Sequence, residues 1–265
     1  MKYSICIENF YRDLPFEDKF AAAKRDGFEY CEFWTWKERN WGGIKRAIAD
    51  SGIKIAAFSG DDAYSLINPD ESRPYVEFLK ESIAKAKEIH CRYLVIHSDA
   101  LNRDGSARET ARPLSNETKL LNMYKVLERM APFAEKGNVT LVVEPLNTRS
   151  GQPRAHKNYF LEYPQPAFDL TRQVGSERVK VLYDIYHMQL MAGNIIQTLA
   201  ENRDQLGYIH LADVPGSHEP GTGELHCGNI LKALDSMGYA GFVGFELLPV
   251  ETDGKAIKAI KGIWI

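Results

Sequence analysis

The hydrophobic and polar positions of this chain follow two alternating patterns from the first residues to the last. Short apolar runs, such as residues 140–143, predict strands buried on both faces, as in a parallel sheet covered by helices. Longer stretches such as 74–89 place Val76, Leu79 and Ile83 on one face at helical spacing and predict surface helices. The predicted strands are residues 4–7, 30–33, 55–58, 93–96, 140–143, 179–183, 207–211 and 242–245. The predicted helices cover 15–25, 43–50, 74–89, 116–136, the segments that follow 166 and 194, 230–237 and 254–261.

Eight successive strand–helix units predict an α/β protein, a (β/α)8 TIM barrel that forms a single domain over residues 1–265. A doubly wound sheet would show the same alternation. Dinucleotide-binding proteins of that class usually carry a G-x-G-x-x-G motif after the first strand, whereas Glu8, Asn9 and Phe10 stand there in this chain. In a barrel, residues at the carboxyl ends of the strands meet at one mouth, where the active sites of barrel enzymes lie.

The amino-acid composition is that of a globular protein and argues against nucleic-acid and membrane partners. Of the 265 residues, 44% are hydrophobic and 26% are charged, which is the balance of a globular chain with a full core. A net charge of −3 gives no basic field for nucleic acid, and no apolar stretch approaches the length of about twenty residues that spans a membrane. The chain runs directly into a strand pattern without a signal peptide, and its four cysteines are far apart. We therefore expect a cytoplasmic protein without nucleic-acid or membrane partners; the sequence leaves open whether it forms a homo-oligomer.

Four predicted strands end in a residue that can ligate a metal: Glu144, Asp184, His210 and Glu246. Each alone is equally well explained by an ordinary structural role. Together they stand on four consecutive strands, at the height of one barrel mouth, where three carboxylates would repel each other unless a cation lies among them. A set of three oxygen ligands and one nitrogen ligand without thiolate suits a divalent ion such as Mn²⁺, Mg²⁺ or Co²⁺.

The same residues lie in motifs that resemble a known family. The motifs are EPLNTR at 144–149, DIYHMQ at 184–189, HLADVPG at 210–216 and GFVGFE at 241–246. They resemble the xylose-isomerase-like TIM-barrel superfamily of sugar isomerases and epimerases, and within it the hydroxypyruvate isomerase family most closely. The resemblance implies that Glu144, Asp184, His210 and Glu246 hold a divalent metal ion. It also implies that Glu144 and Glu246 are the catalytic acid/base pair and that His187 contacts a substrate oxygen.

The chemistry of such an isomerase explains why two glutamates are needed. Moving a carbonyl by one carbon requires removal of a proton from a C–H bond next to it, which produces an enediolate. One carboxylate takes the proton and the other delivers it to the neighbouring carbon, while a metal ion stabilises the developing charge. We therefore predict a metal-dependent isomerase that interconverts aldehyde and ketone forms of hydroxypyruvate, a related 2-oxo acid or a small sugar. A ketose 3-epimerase that works through the same enediolate is the alternative.

Two further functions are known on this type of barrel and are less favoured. An AP endonuclease would use several zinc ions with many histidine ligands, but this chain has seven histidines and predicts few of them near the mouth. A non-catalytic sugar-binding barrel would be expected to have lost one of the two glutamates, and both are present.

Other residues near the predicted mouth are candidates for binding substrate. His187 follows Asp184 by three residues, where a loop is expected, and Asn147 either positions substrate or simply turns the chain. Trp34 would add an apolar wall, although such aromatic residues more often serve packing. His97, after the fourth strand, is also placed to reach the mouth.

A substrate carboxylate would need a cation in addition to the metal ion. Many members of the resembled family have an arginine just after the Val-Pro-Gly turn that holds the substrate, but Ser217 stands at that position here, followed by His218. Arg149 is the first candidate for a two-pronged contact with the carboxylate; a salt bridge to Glu8 or Glu32 would be its structural role instead. His218 and the basic loop 150–163, which contains Arg154, are the other candidates.

Overall fold

A computed structural model, which describes residues 1–149 and 151–265, shows a closed barrel of eight parallel strands. Each strand pairs with the next along the chain, and β8 pairs with β1. The predicted single-domain (β/α)8 fold is therefore confirmed. The strands are β1 (Lys2–Cys6), β2 (Tyr30–Phe33), β3 (Lys54–Ser59), β4 (Tyr93–Ile96), β5 (Thr140–Val143), β6 (Val179–Asp184), β7 (Leu206–His210) and β8 (Phe242–Phe245).

Helices surround the barrel between successive strands. They are α1 (Phe16–Arg25), α2 (Trp41–Ser51), α3 (Ser72–Glu88), α4 (Asn116–Gly137), α5 (Pro164–Val174), α6 (Ile185–Met191), α7 (Ile195–Glu201), α8 (Cys227–Ser236) and α9 (Asp253–Gly262). The predicted helices differ from these mainly at their ends, but α6 was not predicted. It begins directly after β6 because the Asp184 carboxylate caps it by accepting the backbone N–H of His187 at 2.9 Å. Within the described part of the chain, no helix combines the length and the apolar character needed to cross a membrane.

Alternation along the strands creates two apolar regions. In β5, Leu141 and Val143 pack in the core between the strands and the helices, while Val142 packs inside the barrel. The barrel interior is a separate cluster that fills the lower part of the barrel, below the mouth: Ala56, Ala57, Val95, Val142, Leu182, Tyr208 and Phe242. Because side chains alternate with a period of two, the next interior residue after Val142 is Glu144. The interior apolar layer therefore lies directly beneath the polar mouth.

The same period places the other strand-end residues. Leu182 is an interior residue and Asp184 follows it by two positions, as His210 follows Tyr208. In β8 the interior positions after Phe242 are Gly244 and then Glu246. All four strand-end residues thus face inward because they continue the series of inward-facing positions along their strands.

We predict that the interior layer carries a large share of the stability. Leu182→Ala should lower the free energy of unfolding by about 2–5 kcal/mol, because it removes a fully buried side chain from a packed cluster. Leu121→Ala is the matched control: Leu121 lies on α4 with 51% exposure, so its loss should change stability by no more than about 0.5 kcal/mol. Urea unfolding followed by circular dichroism measures both, and equal midpoints would show that the barrel interior is not tightly packed.

Candidate metal centre

Four strand-end residues converge at the carboxyl end of the barrel. One potential ligand atom from each of Glu144, Asp184, His210 and Glu246 lies within 4.8 Å of the others, and all four residues are buried. The imidazole is central: His210 Nδ1 lies 3.3 Å from Glu144 Oε1, 3.2 Å from Glu246 Oε2 and 3.9 Å from Asp184 Oδ2. The structure thus brings together the four residues that the sequence singled out.

The unpaired atoms of this cluster fit a divalent cation. Glu144 Oε1, Asp184 Oδ2 and His210 Nδ1 are buried, and no hydrogen-bond partner is found for them among residues 1–149 and 151–265. Buried polar atoms without partners are costly. An ion among them would satisfy all three at once, and three carboxylates with one imidazole form a suitable donor set for Mn²⁺, Mg²⁺ or Co²⁺.

Without a metal ion, protons reduce the repulsion in the cluster. Burial alone would lower the pKa of His210, but the carboxylates of Glu32, Glu144 and Glu246 outweigh it and raise that pKa well above its usual value. Burial raises the pKa of Asp184 to about 7. A divalent cation that enters this site therefore displaces protons, which is the usual linkage between metal binding and pH.

Glu32 orients the histidine of the cluster, a role that we did not predict. Its carboxylate accepts hydrogen bonds from Ser4 Oγ at 2.9 Å and from Tyr208 OH, and its Oε1 lies 3.3 Å from His210 Nε2. If a metal ion replaces the proton on Nδ1, the remaining proton on Nε2 would face this carboxylate, and the lone pair of Nδ1 would be directed at the ion. Such carboxylate–histidine pairs fix the tautomer of a metal-binding imidazole.

The position of Glu32 depends on Gly244 in β8. A Cβ atom at Gly244 would lie 2.5 Å from Glu32 Oε1 and 2.6 Å from Oε2, closer than these atoms can approach. The missing side chain therefore makes room for the carboxylate. Tyr30 packs against the barrel interior and Glu32 follows it by two positions in β2, so the alternation of side chains turns Glu32 inward as well.

His97 lies beside the other oxygen of Glu144. Its Nδ1 lies 2.9 Å from Asp61 Oδ1 and its Nε2 lies 3.5 Å from Glu144 Oε2, while Asp61 also accepts a hydrogen bond from Tyr75 OH at 2.9 Å. Burial opposes a charge on this imidazole, but Asp61 and Glu144 outweigh it and raise the pKa of His97 to about 10. His97 thus reaches the mouth as a cation, balanced by Asp61.

His187 and Asn147 form a pair next to the cluster. The backbone N–H of Asn147 donates to His187 Nδ1 at 3.2 Å, and Asn147 Nδ2 lies 2.6 Å from the same nitrogen. Because Nδ1 accepts, the ring proton resides on Nε2, which is buried 3.8 Å from Asp184 Oδ2 without a hydrogen-bond partner in the described part of the chain. Burial lowers the pKa of His187 well below its usual value, so the ring is neutral. The expectation that His187 lies on a loop is wrong, since it belongs to α6.

Trp34 and Arg154 contact Glu246 from two loops. Trp34 Nε1 donates to Glu246 Oε1 at 2.5 Å, and the residue is 46% exposed. Arg154 Nη2 lies 2.6 Å from Glu246 Oε2, and its Nη1 donates to the backbone carbonyl of Glu246 at 2.9 Å and to Ser217 Oγ at 3.3 Å. Both oxygens of this carboxylate are therefore held by loop residues.

The arginine at the cluster is not the one that we placed first. Arg149 is the last residue of the motif after β5 and is exposed. The expected alternative partners are engaged elsewhere, because Glu8 pairs with Arg39 at 2.7 Å and Glu32 accepts hydrogen bonds from Ser4 and Tyr208. The loop folds back after Arg149, and Asn147 Nδ2 donates to the carbonyl of Arg154 at 3.1 Å. This return brings Arg154 over the site. The sequence makes the loop 150–163 only a secondary candidate source of cations, and Ser150 at its start lies outside the described residues.

His218 is half-buried beside the turn that carries Ser217. Its Nδ1 lies 2.6 Å from the carbonyl oxygen of Leu248, so the imidazole ties the loop after β7 to the segment after β8. A contact between His218 and substrate stays a prediction.

Comparison with known proteins identifies the family of this chain. A family model described as xylose isomerase-like TIM barrel matches residues 20–262. The chain belongs to this family. Two relatives are similar over nearly their whole length. A putative hydroxypyruvate isomerase of Danio rerio is 26% identical, covering 100% of this chain and 96% of the relative. A 2-oxo-tetronate isomerase of Cupriavidus necator is 27% identical, covering 94% and 93%. The resemblance inferred from the motifs is therefore confirmed.

A solved structure with the same family fold also superposes well. The crystal structure of AP endonuclease, family 2, from Brucella melitensis has a TM-score of 0.85 and 23% identity, and the match covers 98% of each chain. At that level of identity the likeness concerns the fold alone, so it confirms the barrel and leaves the chemistry to the residues at the mouth.

We predict that Glu32 contributes to metal affinity although it is not a ligand. Glu32→Gln should weaken binding of Mn²⁺ by about 10- to 100-fold, because the amide cannot act as the anionic partner of His210. Glu29→Gln is the matched control, since this nearby glutamate is exposed and pairs with Lys54. Isothermal titration calorimetry measures both affinities. Wild-type affinity in Glu32→Gln would contradict the orienting role of this carboxylate.

Proposed function

We propose that this protein is a divalent-metal-dependent isomerase that moves a carbonyl group between adjacent carbons of a small hydroxy-carbonyl compound, with hydroxypyruvate or a related 2-oxo acid as the first choice. The observation that carries the proposal is the buried cluster in which unpaired ligand atoms of Glu144, Asp184 and His210 converge beside a second glutamate, Glu246. The names of the two relatives support the same reaction class.

The metal ion would be held by Glu144, Asp184, His210 and Glu246. When bound, it supplies positive charge that polarises a carbonyl and stabilises negative charge on the enediolate oxygens. The relatives' names do not identify the ion, and the donor set favours Mn²⁺, Mg²⁺ or Co²⁺. Asp184 has the shortest side chain of the three acids and caps α6 through its second oxygen, so we assign it the role of ligand only.

Two glutamates of the cluster, Glu144 after β5 and Glu246 after β8, can exchange protons with the substrate. Burial opposes ionisation of Glu144, but His210 and His97 outweigh it and lower its pKa to about 2. Arg154 and His210 likewise overcome burial and hold the pKa of Glu246 well below its usual value. Both carboxylates are therefore ionised at neutral pH and able to accept a proton. The one that takes the proton from carbon becomes the acid that can return it, while the other serves the neighbouring carbon.

Neighbouring residues orient the substrate and the acid/base pair. His187 presents an Nε2–H without a partner in the described part of the chain, fixed by Asn147, and this donor suits a substrate carbonyl or hydroxyl oxygen. Trp34 lies at the mouth beside Glu246 and holds its Oε1 through a hydrogen bond. His97 holds Glu144 in place.

The state of the cysteines bears on the cellular setting. All four cysteines are free and buried, as suits a reducing compartment, and we propose that the protein acts on its small-molecule substrate in the cytoplasm.

The first prediction from this proposal concerns the glutamates and the metal ion. Glu144→Gln or Glu246→Gln should lower turnover by at least about 100-fold, the scale of a lost general acid or base. Glu177→Gln, at a side chain with 92% exposure, should retain wild-type turnover. Removal of divalent ions with a chelator should abolish activity and lower Tm, since a ligand that binds only the folded state stabilises it. Full turnover in the chelated protein would refute the metal-dependent mechanism.

The second prediction concerns the type of reaction. Turnover in D₂O with added Mn²⁺ should introduce deuterium next to the carbonyl and move that carbonyl by one carbon, because the proton leaves through an enediolate. Proton NMR of hydroxypyruvate, 2-oxo-tetronate and several free ketoses measures both exchange and product. If only ketoses react and yield C3 epimers, the isomerase assignment is wrong and the ketose 3-epimerase takes its place.

A further inference from the structure

Arg154 is a buried cation whose donors are only partly used. Its side chain is 17% exposed at the cluster. A guanidinium has five N–H donors, and three of them are occupied by the carboxylate of Glu246, the carbonyl of Glu246 and Ser217 Oγ. Nη1 and Nη2 both contact Glu246, so the end of the guanidinium that carries these two nitrogens is already engaged. No partner is found for the Nε–H edge among residues 1–149 and 151–265, and that edge is able to donate two parallel hydrogen bonds to a planar carboxylate.

The loop holds Arg154 in place before any ligand arrives. The residue has a positive φ of 54°, which is uncommon for a side chain with a Cβ atom. Hydrogen bonds on both sides stabilise this turn: Tyr186 OH donates to the carbonyl of Pro153 at 2.6 Å, and the backbone N–H of His156 donates to the carbonyl of Asn147 at 2.8 Å. The guanidinium is therefore preorganised at the mouth, which reduces the entropy lost on binding.

The size of Ser217 makes this position available. The Ser217 hydroxyl lies 3.3 Å from Arg154 Nη1, and the residue is fully buried, so a long side chain at position 217 would compete for the same space. The small residue on the loop after β7 and the arginine on the loop after β5 are thus structurally linked.

The net charge of the site determines which class of ligand Arg154 would bind. The three carboxylates of Glu144, Asp184 and Glu246 exceed the charge of one divalent ion by one unit, and Arg154 offsets that unit. A substrate carboxylate adds another negative charge to a buried site, and it is tolerated only where a cation can contact it directly. A neutral sugar has no such requirement.

We propose that Arg154 binds the carboxylate of the substrate and selects a 2-oxo or 2-hydroxy acid over a neutral sugar. The assignment deepens the proposed isomerase function and rests on it for the identity of the reaction. Arg154 is then a specificity-determining residue, and Arg149 is not.

Steady-state kinetics of Arg154 variants tests this assignment. With hydroxypyruvate, Arg154→Met should lower kcat/KM by about 100-fold or more, mainly through KM, as expected when one partner of a buried charge pair is truncated. Arg154→Lys should fall between this variant and the wild type, because lysine keeps the charge but loses the planar fork. With a neutral ketose, both variants should lose turnover through the altered Glu246 but keep KM within about twofold of the wild type, so the ratio of kcat/KM for the acid to that for the ketose should fall. Lys157→Met, an exposed cation on the same loop, is the matched control. Equal losses with both substrates would overturn the proposal and leave Arg154 as a residue that only positions Glu246.

A second, position-swapping variant separates substrate binding from a structural role. In Arg154→Met, the added change Ser217→Arg should restore part of the lost affinity for the acid, because it supplies a guanidinium from the adjoining loop. Rescue specific to the acid supports the assignment. A variant with intact circular dichroism and Tm but no rescue and no discrimination between acid and ketose counts against it.

Binding without turnover keeps the two proposals distinguishable. Calorimetry of the Mn²⁺-loaded protein with glycolate, a 2-hydroxy acid, and with neutral ethylene glycol should show affinity for glycolate that is lost in Arg154→Met. If the wild type converts no hydroxy-carbonyl compound, the isomerase function fails, but selective binding of glycolate through Arg154 would still support the site. Equal binding of glycolate by wild type and Arg154→Met would overturn it.

Discussion

Repulsion between buried carboxylates is the constraint on which the mouth of this barrel depends. Glu144, Asp184 and Glu246 meet in a region with 6% exposure or less, and Glu32 lies just below them at the same histidine. Burial of so many acids is stable only if cations lie among them. Arg154 supplies one such charge at Glu246, a divalent ion would supply two more, and Glu32 is stabilised by hydrogen bonds from Ser4 and Tyr208. The cation requirement thus explains both the unpaired ligand atoms and the arginine over the site.

The carboxylates are close together because the inward-facing side chains of the barrel form successive layers. The lowest layer is apolar and includes Val142, Leu182 and the ring of Tyr208. Above it, Ser4 and Glu32 are linked by hydrogen bonds to each other and to the Tyr208 hydroxyl, and the highest layer contains the cluster of candidate ligands. Each layer follows from the period of two along the strands. Since the apolar layer closes the barrel from below, substrate, ion and water reach the cluster from the mouth.

Much of this arrangement could be predicted from the sequence because it is set by local patterns. A buried parallel strand appears as a short apolar run, and a strand-end residue such as Glu144 is found by reading where the run stops. Features that depend on distant contacts could not be found in this way. The charge on Glu32 looked like that of a salt-bridge partner, and its true neighbours, Ser4 and Tyr208, are 28 and 176 residues away in the chain. The return of the loop that carries Arg154 depends on hydrogen bonds to Asn147 and Tyr186, which no sequence period encodes.

The strand and the loops therefore have different roles at the Glu246 carboxylate. The strand β8 places Glu246 at the cluster, but the hydrogen bonds and charge that determine its basicity come from loops, with Trp34 at one oxygen and Arg154 at the other. A substrate group that draws Arg154 toward itself would weaken its hold on Glu246 and raise the proton affinity of that carboxylate. Substrate recognition and proton transfer are consequently coupled through one side chain. A loop substitution that alters selectivity at this mouth should therefore also shift the acid/base chemistry, even though every candidate ligand on the strands remains in place.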